Sequence, residues 1–271
     1  MTAMQPDDFP DIDTRNASVA RVYDYMLGGT DNYEIDRRAA DGMEDLIPGS
    51  YALARNSRRY LERVVRYLAS ECGIRQFIDH GCGLPTRNNV HQVAQAVAPG
   101  SRVVYVEIDP VVLAHGRVKA LLAADDSTAF IEADASDTAG ILSHPGTRRL
   151  INFDEPVAAL YFSFLHCVPD VRDPCRVVAQ LMDHLAPGSY LAISHVTSDD
   201  PQVREKVTEY ARQVTGGHWG RVRSRQEVAA FFDGLEIVPP GLVKATDWRP
   251  DGREEEESAE WFDFSGVARK P

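Results

Sequence analysis

The feature that most constrains this chain is a change of rhythm at Gln76. From there on, short apolar runs alternate with helix-length amphipathic segments. Residues 76–80, 102–108, 129–132, 157–163 and 190–195 read as strands, and residues 87–98, 111–123, 175–185 and 202–214 as helices. Such alternation builds βαβ units and a parallel sheet. The nearly continuous apolar strands suit a sheet covered on both faces. The expected fold is therefore α/β and doubly wound. The last part breaks the rhythm: 225–232 looks helical, then 235–243 and 260–268 look like strands with no helix between them. Two such strands are most simply antiparallel, so a mostly parallel sheet should finish on an antiparallel strand. The connector carries Trp248, Pro250 and the acidic run 254–257, which reads as a solvated loop.

The part before Gln76 has a different period. Residues 1–15 are polar, with Pro6 and Pro10, and read as a flexible tail. Val19, Val22, Tyr23 and Met26 recur at helical spacing, with Gly28-Gly29 as a stop. Leu61, Val64, Val65 and Leu68 form a second stripe on a helix ending near Gly73. The expected organisation is a tail (1–15), an N-terminal helical lid (16–73) and an α/β domain (74–271), together one globular unit. Arg55, Arg58, Arg59, Arg63 and Arg66 make a basic face, read as solvated and pairing with the acidic surface.

Bulk properties narrow the function classes. The net charge of -12 argues against a nucleic-acid or membrane-surface partner. The longest apolar stretches, such as 156–165, are strand-sized, and the N-terminus has no apolar signal core. Cys72, Cys82, Cys167 and Cys175 form no C-x-x-C pair, which suits a reducing cytoplasm without disulfides or structural zinc.

The motif that carries function follows the first strand. Gly81 and Gly83 lie in the run Asp79-His80-Gly81-Cys82-Gly83, where a Gly-x-Gly turn lets the backbone approach a ligand. The dinucleotide fingerprint needs a third glycine at position 86, which is Thr, so a ligand without phosphates is favoured. The second strand ends Glu107-Ile108-Asp109-Pro110. Asp109 before Pro110 reads as a helix cap. Glu107 is the better acceptor for a ribose diol. Just past the third strand, the Asp134 carboxylate could accept an adenine amine while the Ala135 N–H reaches a ring nitrogen.

These strand ends, in order, resemble class I S-adenosylmethionine (SAM) dependent methyltransferases. The resemblance extends through Tyr161-Phe162-Ser163-Phe164-Leu165-His166, the turn Leu185-Ala186-Pro187-Gly188-Ser189 and the final Phe264-Ser265-Gly266-Val267. Two further blocks, Ser18 to Tyr33 and Asp79 to Thr86 continuing into Asn88-Asn89-Val90-His91, resemble a bacterial family of SAM methyltransferases long catalogued as a domain of unknown function. With them the resemblance covers nearly the whole chain. It implies a Rossmann-like sheet and SAM as cofactor. It implies a site made of Asp79, Gly81, Cys82, Gly83, Glu107, Ile108, Asp134, Ala135 and Ser163, covered by Tyr23, Gly28, Asn32 and Tyr33. The acceptor, a small molecule, and the oligomeric state stay open. Rival readings are a SAM-binding sensor without catalysis and an NAD-linked oxidoreductase.

His80, His166 and His195 fall at strand ends and could converge on one rim, though packing is the default role for such a histidine. His166 comes first as a catalytic candidate, with Tyr23 second. No metal spacing occurs. Methyl transfer can run on alignment alone, because the sulfonium is already a good leaving group. Aromatics, a glycine pair and Asn32 in the segment 23–33 are suited to a lid over the methionine end.

Overall fold

A computed structural model describes residues 15–85, 88–115 and 126–271. Position 86, on which the dinucleotide argument turns, lies outside the described residues, as do most of the expected tail and the later part of the helix at 111–123.

Among the described residues the sheet has eight strands: β1 (Gln76–His80), β2 (Arg102–Glu107), β3 (Thr128–Glu132), β4 (Ala158–Phe162), β5 (Tyr190–Thr197), β6 (Glu236–Ile237), β7 (Val243–Lys244) and β8 (Phe262–Arg269). Their order is β3-β2-β1-β4-β5-β8-β6, with β7 also paired to β8. The first five are mutually parallel and β8 runs antiparallel to β5. This is the doubly wound class I methyltransferase sheet that the strand rhythm and the resemblance lead one to expect, antiparallel finish included. The expected strand at 235–243 is broken into β6 and β7. Pro239 and Pro240 stand between them and have no N–H for a ladder.

Among the described residues nine α-helices can be followed from end to end: α1 (Val19–Met26), α2 (Glu34–Leu46), α3 (Ser50–Ser70), α4 (Val90–Val97), α5 (Thr138–Ser143), α6 (Pro145–Leu150), α7 (Pro174–His184), α8 (Pro201–Val214) and α9 (Arg225–Ala229). Another helix opens at Pro110. The two short helices α5 and α6 fill the crossover from β3 to β4, which the apolar periodicity leaves unassigned. Pro145 starts α6 at a position where its missing N–H costs nothing.

The core lies on both sheet faces. Ile78, Val104, Tyr161 and Ile193 meet Val178 and Leu181 of α7 on one side. Phe77, Val103, Leu160 and Ala192 meet Tyr60, Leu61, Val64 and Leu68 of α3 on the other. The second sequence stripe is thus a sheet-packing face, and α3 is a layer of the sandwich.

The acidic run differs from its expectation as a solvated loop. Trp248 is fully buried, edge-on to Tyr60 and Tyr67. It pins the connector against α3. Arg55 and Arg59 both reach Glu255, at 2.8 Å, and Arg63 reaches Glu254 at 3.0 Å with only 6% of its side chain exposed. The arginines recur every four residues, so they present one row that a strand-like strap can follow. Pairing with acidic residues was the expected role of this face; its burial comes from the strap.

Candidate functional site

The site is assembled where β1, β2 and β3 end. Gly81 and Gly83 both take left-handed φ, +67° and +65°. A Cβ at Gly81 would fall 2.1 Å from the Phe164 ring, so only glycine fits there. A Cβ at Gly83 would meet no atom of the described residues within 4 Å, so among them the turn has open space above it. Gly83 N donates to Glu107 Oε2 at 3.0 Å. Glu107 Oε1 accepts from the backbone N–H of Ile108 and of Asp109, at 2.8 and 3.1 Å. One buried carboxylate therefore ties the turn after β1 to the turn after β2. Burial raises its pKa and the three N–H donors oppose the rise. Ile108, 63% exposed, projects beside it.

Asp79 is buried on the α3 side. Its pKa is pushed up to about 7 by desolvation and by Glu107, against the pull of the Arg58 guanidinium. Asp109 does what a cap does: Oδ1 accepts from Val111 N at 2.8 Å. Its other oxygen accepts from Ser18 Oγ at 2.8 Å. Asp134 closes its own turn through Ser136 N and Oγ and has Arg172 at 3.6 Å, with Ala135 buried beside it.

The helix α1 lies over these turns. Ala20, like Cys82, packs against the cluster of Leu84, Val111 and Val112. Tyr23 donates to Ala54 O at 3.1 Å, and burial pushes its pKa up to about 12. Asp24 organises the loop that follows, accepting from Asp31 N and Asn32 Nδ2, both at 2.9 Å. A Cβ on Gly29 would sit 2.0 Å from Asp24 Oδ1, while Gly28 takes φ +80°. Asn32 also reaches Gly29 O and accepts from Arg37, so its amide orders the loop. Tyr33 starts α2 with its ring under the Arg21 guanidinium. The structure therefore brings Tyr23 to the strand ends together with Asp79, Gly81, Cys82, Gly83 and Glu107. Asn32 and Tyr33 make their contacts within the loop and with α1 and α2. A buried pair, Arg21 to Asp36 at 2.8 Å, anchors α1 to α2.

Beyond β4, Ser163 takes φ +49° and its N–H donates to Ser194 O at 3.1 Å. Its hydroxyl lies 2.8 Å from Ser57 Oγ, which is 3.2 Å from Ser194 Oγ. Two of the three histidines meet. His166 is edge-on to His195 at 5.4 Å and lies 4.7 Å from the Trp219 ring. His80 instead stacks on Tyr161 at 4.2 Å. Burial and the nearby Arg223 charge push His166 down to about 3, which makes it a neutral, weak base.

The residue types alone did not single out Arg58 or Ser57. In the sequence Arg58 reads as part of the solvated basic face, and Ser57 draws no reading. Their signal is the polar run Asn56-Ser57-Arg58 inside an otherwise apolar helical stripe, two of whose members are fully buried.

Comparison with known proteins places this geometry. A family model described as S-adenosyl methyltransferase matches residues 6–271. A crystal structure from Thermobifida fusca YX, provisionally assigned as a methyltransferase, is 43% identical, with 96% of this chain and 97% of that chain covered and a TM-score of 0.87. A DUF574 family protein from Streptomyces avermitilis MA-4680 is 39% identical, with 96% and 99% covered and a TM-score of 0.86. An O-methyltransferase family protein from Burkholderia thailandensis, 14% identical with 82% and 60% covered and a TM-score of 0.50, shares the fold. No curated protein matches the chain. With the family model spanning nearly every residue, this chain belongs to the S-adenosyl methyltransferase family.

Proposed function

We propose that this chain transfers the methyl group of SAM to a small-molecule acceptor. Bound SAM supplies an electrophilic methyl on a sulfonium. The remaining work falls to the chain's residues. Glu107 accepts the ribose hydroxyls and Ile108 lies along the adenine. Asp134 accepts the adenine amine and Ala135 N–H meets a ring nitrogen. The turn Gly81-Cys82-Gly83 with Asp79 borders the methionine end, where Arg58 offers a cation to its carboxylate and Ser163 closes the far side. Residues 16–33 are the cover, with Tyr23 over the strand ends and Gly28 and the ordered loop at Asn32 and Tyr33 as its joint. In this reading the helical cover (16–73) and the SAM-binding part (74–271) work as one unit.

One observation carries the reading: Gly83 donates to Glu107 beneath open space. The proposed ribose acceptor and the glycine turn are thus one surface, with no atom of the described residues within 4 Å of where a Gly83 Cβ would stand. His166, held near pKa 3, is unsuited to taking a proton, so acceleration rests on alignment and exclusion of water.

Calorimetry and a radiolabelled methyl group test this. SAM and S-adenosylhomocysteine should bind and NAD should give no comparable signal. Tight NAD binding with no SAM signal would sink the proposal.

A further inference from the structure

Asp263 is a lone acid in the strand sequence Trp261-Phe262-Asp263-Phe264. It pairs with Val196 of β5, two residues past Ser194, which pairs with Phe162 at the end of β4. Side chains on a strand alternate, and Ser194 reaches Ser57 of α3. Asp263 therefore faces α3, at the carboxyl-end rim of the sheet and one step beyond Ser163. It is fully buried, yet neither carboxylate oxygen has a hydrogen-bond partner among the described residues. Oε2 of Glu257, on the strap, is likewise buried and unpartnered. The groups around Asp263 are Tyr23 of α1, Ser57 and Tyr60 of α3, and Glu257. None is a cation. Arg58 compensates Asp79, and Lys244 acts on Glu257, but neither is among the groups acting on Asp263.

A buried carboxyl without donors is costly, and native proteins rarely leave one so. Three empty acceptor atoms and no positive charge describe a place complementary to a donor-rich, cationic group. A hydroxyl brings a single donor, whereas an amine brings two or three. Resting on the methyl-transfer reading above, we propose that the cluster of Tyr23, Ser57, Ser163, Ser194 and Asp263 is the acceptor site and that it takes an amine, whose N–H groups donate to Asp263. Asp263 first relays one proton from the bound ammonium to solvent, and the freed nitrogen then gives its lone pair to the methyl carbon. The carbon–sulfur bond breaks with its electron pair left on sulfur, and the Asp263 carboxylate takes the N–H proton and passes it to solvent. Desolvation and Glu257, against the pull of the neighbouring Ser57 hydroxyl, hold the Asp263 carboxyl at about 7, where it can exchange that proton near neutrality.

The test uses the full chain saturated with S-adenosylhomocysteine. The probes are matched amine and alcohol pairs: benzylamine with benzyl alcohol, and tryptamine with tryptophol. In at least one pair the amine should bind about tenfold tighter than its alcohol, as a charge-assisted hydrogen bond requires. Asp263→Asn should remove that preference without lowering the melting temperature and without changing S-adenosylhomocysteine affinity. In the wild type, amine affinity should rise from about pH 6 to about pH 8 as Asp263 ionises, which tests the idea even if the variant misfolds. Alcohols bound as tightly as amines, no probe bound at all, a preference that survives Asp263→Asn, or a flat pH profile would each overturn the inference. If S-adenosylhomocysteine itself does not bind the wild type, the methyl-transfer reading falls instead.

Discussion

At the scale of single residues, two carboxylates near the end of β2 do different work. Glu107 accepts three backbone N–H groups and borders the glycine turn. Asp109 caps the next helix and holds Ser18. Glu107→Ala should weaken SAM binding by roughly 1–3 kcal/mol, since ribose hydroxyls and buried N–H groups lose a charged acceptor together. Asp109→Ala should cost about 1 kcal/mol of stability, the usual worth of a cap, with a smaller loss of SAM affinity. Calorimetry on both variants, paired with urea unfolding, separates the two. A larger affinity loss at Asp109 would reverse the assignment.

At the scale of elements, α1 is held over the strand ends from both sides. Ser18 reaches Asp109, Asp31 lies 3.3 Å from His115, and Arg21 is buried against Asp36. Removing the segment outright would leave Asp36 buried without its partner and disturb α2, so a local change is the cleaner probe. Gly29→Ala drives a methyl into the Asp24 carboxylate and opens the loop that Asp24 ties to Asn32. If α1 covers bound SAM, this variant should keep its circular dichroism and lose about 1–3 kcal/mol of SAM affinity, the scale of a disrupted buried contact. Unchanged affinity in a folded Gly29→Ala protein would make α1 a structural element only.

At the scale of the whole molecule, pH acts through groups buried for the site. Asp79 and Asp263 each have a folded pKa raised from 3.8 to about 7, mainly by desolvation. The native state then binds more protons than the unfolded chain between those values. Their contribution to stability is complete below pH 3.8 and is lost as pH rises through about 7. Glu227, lowered to about 2 by Arg221 and Ser224, acts in the opposite sense and loses its contribution only as pH falls toward that value. The buried His80, His166 and His195, each lowered mainly by desolvation, also act in the opposite sense and regain stability as pH rises toward 6.5, so the readout is a difference: relative to the wild type, Asp263→Asn should gain stability as pH rises from 3.8 to about 7. Urea midpoints at a series of pH values check this; an unaltered slope in the variant would show that Asp263 does not titrate in the native state.

Much of the fold was legible because it rests on local periodicity. Strand and helix repeats differ, so apolar runs at 76–80, 102–108 and 190–195 announce a covered sheet whatever their neighbours are. The glycines at 81 and 83 and the acid at 107 were legible too, because a turn of that kind restricts residue type. What the chain alone left undecided depends on partners distant in sequence. The acidic run 254–257 looks solvated until Trp248 is seen buried against Tyr60 and Tyr67. His80, His166 and His195 all read as rim histidines, with His166 the first catalytic candidate, until tertiary packing stacks His80 on Tyr161 and turns His166 to His195. Asp263 is an ordinary acid in the sequence. Only the register of β8 on β5, with α3 above, removes its water and leaves its carboxyl without donors. Local pattern sets which elements form, because backbone hydrogen bonds and side-chain period are short-range. Which charges face one another, and how far their pKa values move, is set by desolvation and by neighbours that only the assembled fold supplies.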